Sequence, residues 1–451
     1  MRLRPRRNNA PSSLWPWRAS RSVAGLGRLA AALAVVTGVG IAITPMMRPA
    51  PPERSTVRSH APVTVESAPS RLGPERTAVR VWPRTAAERA DVFAHAIDVW
   101  SEHSDAEALD VVLDPAGMAW VLDARLEAEV LVVDIDALAE DERERLAMAE
   151  VARPPAPGRW FSEYRDLSAI HAHLDQLAQR RPDLVMQETI GHSLEGRPLV
   201  ALRIGGTGSR RAGMLINGGL HAREWISMMV TTCVADRLIS SYDDDARIRR
   251  FVDEVELWVV PVSNPDGYVH SWSRDRYWRK NRRDGHGVDL NRNFDLAWGG
   301  PGSSDKPASQ IYRGTAAFSE PESAALRDLM HRGDFDAHID FHSYGQLLLH
   351  PWSHKRKRSR DHKRLSATAD GMAKAIAAQH GKRYRKMSGE SLYPASGTFM
   401  DWAYGEHEVS SFVIELRPRG GSGFVLPPEQ IVPTCDEGLA AVLTLGESVG
   451  R

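Results

Sequence analysis

Residues 212–225 read AGMLINGGLHAREW. The first six are nearly all apolar, and two glycines follow, the composition of a buried strand ending in a tight turn. His221 and Glu224 come next, three apart, a spacing that aims two side chains the same way on a helical turn. The stretch reads as one strand of a buried sheet that delivers two polar groups to its C-terminal edge. Those groups would serve equally as an ordinary helix start or as two ligands of a metal.

Working outward, PLVALRI (198–204), VELWVVPVSNPDG (255–267), DAHIDFHS (336–343) and SFVIELRP (411–418) are further apolar strand candidates. LSAIHAHLDQLAQRRP is an amphipathic helix stopped near Pro182, and helical patterns lie between several of the strands. Strands alternating with helices predict an α/β fold over 160–451, with a mixed, mostly parallel central sheet flanked by helices. In such sheets the site forms from polar residues at strand ends and in the loops that follow.

The chain has 451 residues, 42% of them hydrophobic and 26% charged, enough for a large core and more than one domain. Lys plus Arg and Asp plus Glu both total 58, so no net charge points to nucleic acid. No acidic residue precedes Glu53, whereas seven arginines lie within the first 28 positions. The uncharged run LAAALAVVTGVGIAIT (29–44) follows. A basic segment before a short apolar run is the layout of an export signal over 1–44, with Gly40-Ile41-Ala42 as a small-x-small cleavage site. The alternative is a retained anchor over 29–47, with membrane association through 23–47. Either way the bulk of the chain lies outside the cytoplasm, secreted or periplasmic. Residues 45–76 are rich in Pro, Ser and Arg and read as a linker.

Residues 77–150 read as a small separate unit. TAVRVW (77–82), ALDVVL (108–113) and AEVLVVD (128–134) are strand candidates, while 85–100, 115–127 and 135–149 carry helical patterns. The Pro-rich VARPPAPGRW then marks a boundary, 151–159 forming a linker. Cys233 and Cys435, the only cysteines, sit in apolar stretches and are expected as two inert buried thiols; one disulfide between them cannot be read from sequence.

With 17 histidines, chance supplies roughly one His-x-x-Glu pair, so the spacing alone is weak. Indeed His192 and Glu195 in GHSLEGR repeat it and read as a surface turn. A catalytic zinc site uses three protein ligands, so a third is needed at another strand end. AHIDFHSYGQ offers His342 there, with His338 on the same strand expected as a satisfied core histidine.

At this point the chain resembles a zinc metallocarboxypeptidase of the carboxypeptidase A/B type. The resemblance runs from about Trp160 to Glu447, through GRPLVALRI, LHAREW, VVPVSNPDGY, RYWRKNRR, GVDLNRNF, FHSYGQLLLHP, LYPASGTFMDW and FVIELR in that order. It implies one Zn2+ per chain, held by His221, Glu224 and His342. Glu415 matches the family's general base and Arg279 the cation aimed at the oxyanion. Arg292, with Asn291 beside it, matches the carboxylate-binding arginine, a bidentate task suited to a guanidinium. Tyr393 matches the tyrosine that closes over the substrate. Arg223, Arg276 and Tyr344 belong to the substrate cleft, and Asp289 resembles the carboxylate that orients His221. Trp225 is most simply core packing.

In the family the floor of the specificity pocket is acidic for basic C-terminal residues and apolar for hydrophobic ones. Met400 aligns there, and an apolar floor cannot compensate a buried Lys or Arg charge. Hydrophobic or aromatic C-terminal residues are therefore expected. Secreted members carry an N-terminal ferredoxin-like propeptide, which 77–150 fits by length and alternation. That implies a zymogen cut between Arg143 and Arg159 by an activating protease. The expected partners are peptide or protein C-termini, with the chain a monomer.

Two features depart from the pattern. Pro418 replaces the usual acidic residue after ELR, which would alter the loop behind Glu415, and HKRKRSRDHKR (354–364) is strongly basic. The basic stretch reads as a solvated loop, the alternative being attachment to an anionic envelope surface. Competing functions are a related amidohydrolase acting on peptidoglycan peptides or acyl-amino acids, and a catalytically dead binding protein. Arg292, Asn291 and Tyr393 argue against the first, and the intact ligand set with Glu415 against the second.

Overall fold

A computed structural model of the chain describes residues 75–102, 108–151, 159–205 and 212–449. The basic segment, the apolar run, nearly all of the Pro-rich linker and most of the 151–159 junction lie outside them. Among the described residues no helix is long and apolar enough to cross a membrane.

The first described stretch runs β1 (Thr77–Trp82), α1 (Ala86–His95), β2 (Asp98–Glu102), β3 (Leu109–Leu113), α2 (Pro115–Asp123), β4 (Glu127–Val132) and α3 (Ile135–Val151). Its four strands form an antiparallel sheet in the order β2-β3-β1-β4. This βαββαβ arrangement is ferredoxin-like. The helix expected over 85–100 stops at His95, because IDVW alternates and pairs with β3 as β2. Asp114 caps α2 by accepting from the Gly117 amide at 2.7 Å, with Pro115 in the first turn.

The remainder begins with α4 (Leu167–Arg180), capped by Asp166, which burial of Ile170, Leu174 and Leu177 fastens to the core. It is followed by β5 (Val185–His192), β6 (Pro198–Ile204), β7 (Ala212–Gly218), α5 (Trp225–Ser240), α6 (Ala246–Glu254), β8 (Val255–Val260) and α7 (Pro265–Ser273). Then come α8 (Pro321–Arg332), β9 (Ala337–Ser343), β10 (Leu347–His350), α9 (His362–His380), β11 (Arg385–Ser388), α10 (Phe399–His407), β12 (Ser410–Leu416) and α11 (Ile431–Val449).

Eight strands form one sheet in the order β11-β10-β12-β9-β7-β8-β6-β5. Its centre, β12-β9-β7-β8, is parallel, and antiparallel pairs flank it, the mixed, mostly parallel sheet expected. β5, β10 and β11 were not anticipated; all lie toward the sheet's margins, β5 and β11 carry little apolar patterning, and β10 is only four residues long. Ala337, Ile339 and Phe341 of β9 face a large core with α5, α9 and α11. Leu215, Trp258 and Val260 face a second core with Phe399 and Trp402.

The expectation of two inert thiols is corrected. Cys233 on α5 and Cys435 on α11 form a disulfide, their Cα atoms 6.0 Å apart. The two helices pack side by side on one sheet face, a tertiary pairing that local sequence does not encode.

Candidate functional site

The turn after β7 has no room for side chains. A Cβ on Gly218 would lie 2.6 Å from Thr231 Oγ1, and Gly219, at φ +70°, would meet Met228 at 2.7 Å. The two glycines let the chain turn tightly against α5, and so bring His221 and Glu224 to the parallel centre of the sheet. His342 arrives from the adjacent β9.

The three converge. Glu224 Oε1 lies 2.8 Å from His221 Nδ1 and Oε2 lies 3.0 Å from His342 Nδ1. All their ligand atoms fall within 4.8 Å of one another, and all three residues are buried. Behind them, His221 Nε2 lies 3.2 Å from Asp289 Oδ1, and His342 Nε2 lies 2.8 Å from Asp340 Oδ2. Burial pushes the Glu224 carboxyl up, but the two imidazoles outweigh it and hold it well below the usual range. His342 is likewise held well above its ordinary value, Asp340 and Glu224 overcoming burial. Two imidazoles and a carboxylate, with outer nitrogens facing carboxylates, fit a borderline divalent cation.

Asp289 serves two groups. While Oδ1 faces His221, Oδ2 accepts from Arg279 Nη2 at 2.9 Å. Burial opposes its ionisation, yet Arg279, Arg292 and His221 hold it far below the carboxylate norm. Glu415, on β12, is pushed up to about 8 by burial and then by Glu224, against the pull of His342 and Arg279.

One pocket joins these groups. Its lining includes His221, His342, Asn291, Arg292, Tyr393 and Glu415, and also Leu349, Leu392, Met400 and Val413. Arg292 donates from Nε to Gly302 O (2.7 Å) and from Nη1 to Asn291 O (2.8 Å), leaving the rest of its fork without a protein acceptor among the described residues. The Tyr393 ring centre lies 5.9 Å from the Arg292 guanidinium carbon. Asn291 is held by the Phe399 amide at 2.9 Å.

Three of the expected cleft residues instead meet the small N-terminal module. Arg223, fully buried, binds Asp98 of β2 and lies 4.2 Å over the Phe424 ring. The Tyr344 hydroxyl donates to Asp110 of β3 at 3.0 Å, and Arg80 binds the same carboxylate. Arg276 binds Glu142 of α3, donates to Phe424 O at 2.8 Å, and stacks 3.7 Å over Trp225. Trp100, Val112, Ile135, Tyr277, Tyr344 and Phe424 close an apolar seam around these contacts.

Sequence reasoning missed Asp340, Asp98, Asp110 and Glu142. The signal for Asp340 was its place two residues before His342 on a strand, hence on the same face; nothing in the sequence marked the other three. His192 ends β5 and Glu195 lies in the turn that follows, both exposed. His338 is fully buried and hydrogen-bonded at both nitrogens. In the basic stretch, residues 355–358 are exposed, with Arg356 bonding Glu390 at 2.8 Å and Arg360 bonding Glu408 at 2.7 Å. Behind Glu415, Arg417 is buried and tied to Gln430 and Glu437, and Pro418 follows it.

A sequence profile described as zinc carboxypeptidase matches residues 170–441. Carboxypeptidase B of Bos taurus is 36% identical over 325 residues, covering 70% of this chain and 76% of its own length. Zinc carboxypeptidase A 1 of Anopheles gambiae is 37% identical over 329 residues, covering 71% and 74%. Among solved structures, thrombin activatable fibrinolysis inhibitor is similar with a TM-score of 0.76 and 32% identity, covering 83% of this chain and 99% of that one.

Proposed function

Because the chain belongs to the zinc carboxypeptidase family, we propose that it is an exported zymogen releasing hydrophobic or aromatic C-terminal residues. Its class is that of a metallocarboxypeptidase, a hydrolase acting on the C-termini of peptides, with one Zn2+ as cofactor.

His221, Glu224 and His342 are the residues that would hold the ion. Zn2+ bound there supplies a Lewis acid for the scissile carbonyl and for water, and a positive charge favouring ionised Glu415. Glu415 then takes the proton of the attacking water and passes it to the leaving amine. Arg292, with donors to spare, binds the substrate α-carboxylate, and Asn291 and Tyr393 complete that subsite. Arg279 faces the oxyanion, its charge kept by Asp289.

The observation that carries the substrate preference is the pocket floor. Met400, Leu349, Val413 and Leu392 line it, and Glu415 is the only carboxylate in the lining. Apart from Glu415, which the reaction itself employs, a buried Lys or Arg side chain would find no counter-charge there, whereas an aromatic or aliphatic one is desolvated at a gain. Kinetic comparison of peptides ending in Phe, Leu, Lys and Arg tests this; faster release of Lys or Arg overturns it.

Support for a zymogen comes from Asp98, Asp110 and Glu142, which engage Arg223, Tyr344 and Arg276. The module would occupy substrate-side groups until an activating protease cuts between Arg143 and Arg159. A full-length chain as active as one trimmed to residue 155 would refute that. The Cys233–Cys435 disulfide accords with an oxidising compartment, so with a secreted or periplasmic product, or one anchored with its catalytic part outside the cytoplasm.

A further inference from the structure

The sheet face beneath the ligand cluster carries a line of polar side chains that the proposed reaction does not use. His338, Asp340 and His342 alternate along β9 and so share one face. Asn217 of β7 pairs directly with Asp340, and Ser411 of β12 pairs directly with His338. Asn217, His338, Asp340 and Ser411 are all fully buried, beside the Phe399 ring, whose centre is 4.3 Å from that of His338.

The contacts form an unbroken chain. His342 Nε2 lies 2.8 Å from Asp340 Oδ2, and Asn217 Nδ2 donates to Asp340 Oδ1 at 2.7 Å. Asn217 Oδ1 lies 2.7 Å from His338 Nε2, and Ser411 Oγ lies 2.7 Å from His338 Nδ1.

With both imidazoles neutral, the state a metal ligand requires, only one assignment of protons satisfies it. An ionised carboxylate accepts and never donates, so Asn217 presents its amide nitrogen to Asp340. Its oxygen then faces His338, which must carry a proton on Nε2. His338 Nδ1 is left to accept the Ser411 hydroxyl. At the other end, Asn291 Nδ2 lies 3.2 Å from His342 Nε2 but is itself a donor, so Asp340 is the acceptor. His342 therefore holds its proton on Nε2 and turns the Nδ1 lone pair toward Glu224 and His221, where the ion would sit. No single member can turn without leaving a buried polar atom unpaired.

We propose that Asp340 is a positioning residue for the metal site: it fixes the tautomer and ring orientation of His342, and the Asn217–His338–Ser411 chain fixes Asp340. This rests on the reading that His221, Glu224 and His342 hold Zn2+.

The test uses the full-length protein, with Zn2+ affinity measured by chelator competition alongside steady-state kinetics and thermal melts of the metal-free form. In Asp340→Asn the side chain has one acceptor for two donors. The Zn2+ dissociation constant should rise about 10–100-fold, with kcat lowered and KM little changed. Asp340→Asn combined with Asn217→Asp restores every hydrogen bond with the charge one residue farther off, and should recover much of the affinity. In the wild type, 15N NMR of the histidines should show His338 as the neutral Nε2–H tautomer. An Asp340→Asn protein that folds and binds Zn2+ as tightly as the wild type overturns the proposal, as does a His338 proton on Nδ1. If the single variant does not fold, the double variant and the tautomer decide. A wild type that takes up no Zn2+ would bring down the ligand assignment as well, whereas the other outcomes touch Asp340 alone.

Discussion

Glu415 stands directly across from His342 in the parallel pairing of β12 with β9. Directly paired residues of neighbouring strands project on the same face, so the proposed base and the proposed ligand are neighbours by register alone. The arrangement needs no loop to bring them together, and a rigid sheet holds their spacing.

That relationship separates two kinds of loss. Glu415→Gln should keep the ligand cluster and its metal content while kcat falls about 10²–10⁴-fold, the usual range for removing a general base. His342→Ala should lose stoichiometric metal as well as turnover. Metal analysis of both purified variants with a blocked dipeptide assay checks this; a Glu415→Gln enzyme with wild-type kcat would rule out the base assignment.

Met400 sets the second prediction. Met400→Asp places a carboxylate in the apolar floor beside Leu349 and Val413. The ratio of kcat/KM for Lys-ended over Phe-ended peptides should rise by at least about tenfold, since one buried counter-charge exceeds what a methylene discriminates. The variant should also be less stable than the parent, because an isolated buried carboxylate is costly.

The module contacts give the third. Arg223 is fully buried against Asp98. Asp98→Ala leaves a buried guanidinium without its counter-ion, a loss of about 3–5 kcal/mol where both partners are desolvated. In the full-length chain this should loosen the module and raise basal peptidase activity toward that of a form trimmed to residue 155, which lacks Asp98. Unchanged basal activity in full-length Asp98→Ala would show that this contact does not restrain the enzyme.

Much of this is legible in the sequence alone. His221, Glu224, His342 and Glu415 each stand at or near the end of an apolar run, and the central strands carry continuous hydrophobic patterns that short windows detect. What escaped notice depends on pairing. Asp340 interrupts an apolar run and gains meaning only once Asn217, 123 residues away in the chain, is known to lie opposite. β11, read as RKMS, is a polar edge strand with no periodic signal. Asp98 and Glu142 look like surface charges until the module seats them on Arg223 and Arg276.

The disulfide was invisible for the same reason, and it yields a fourth prediction. Cys233 and Cys435 are separated by 202 residues. Cross-linking so long a segment restricts the unfolded chain strongly, so replacing both with alanine should cost about 2–5 kcal/mol. Denaturant unfolding of the double variant beside the parent measures it, and a difference near zero would show that native packing of α5 on α11 suffices.

The last prediction concerns acid. Burial lowers His338 to about 4, with Asp340 opposing and His342 adding to the effect. An unfolded histidine titrates near 6.5, so between about 4 and 6.5 the unfolded chain binds more protons at this residue than the folded one. This contribution is therefore complete above about 6.5 and is lost as the pH falls toward 4, by about 3 kcal/mol in all. His338→Gln keeps a side chain able to donate to Asn217 but cannot titrate. Stability curves of the metal-free proteins from pH 7 to pH 4 should converge, the variant starting lower and losing less. Parallel curves over that range would mean that His338 keeps its ordinary affinity for protons inside the sheet.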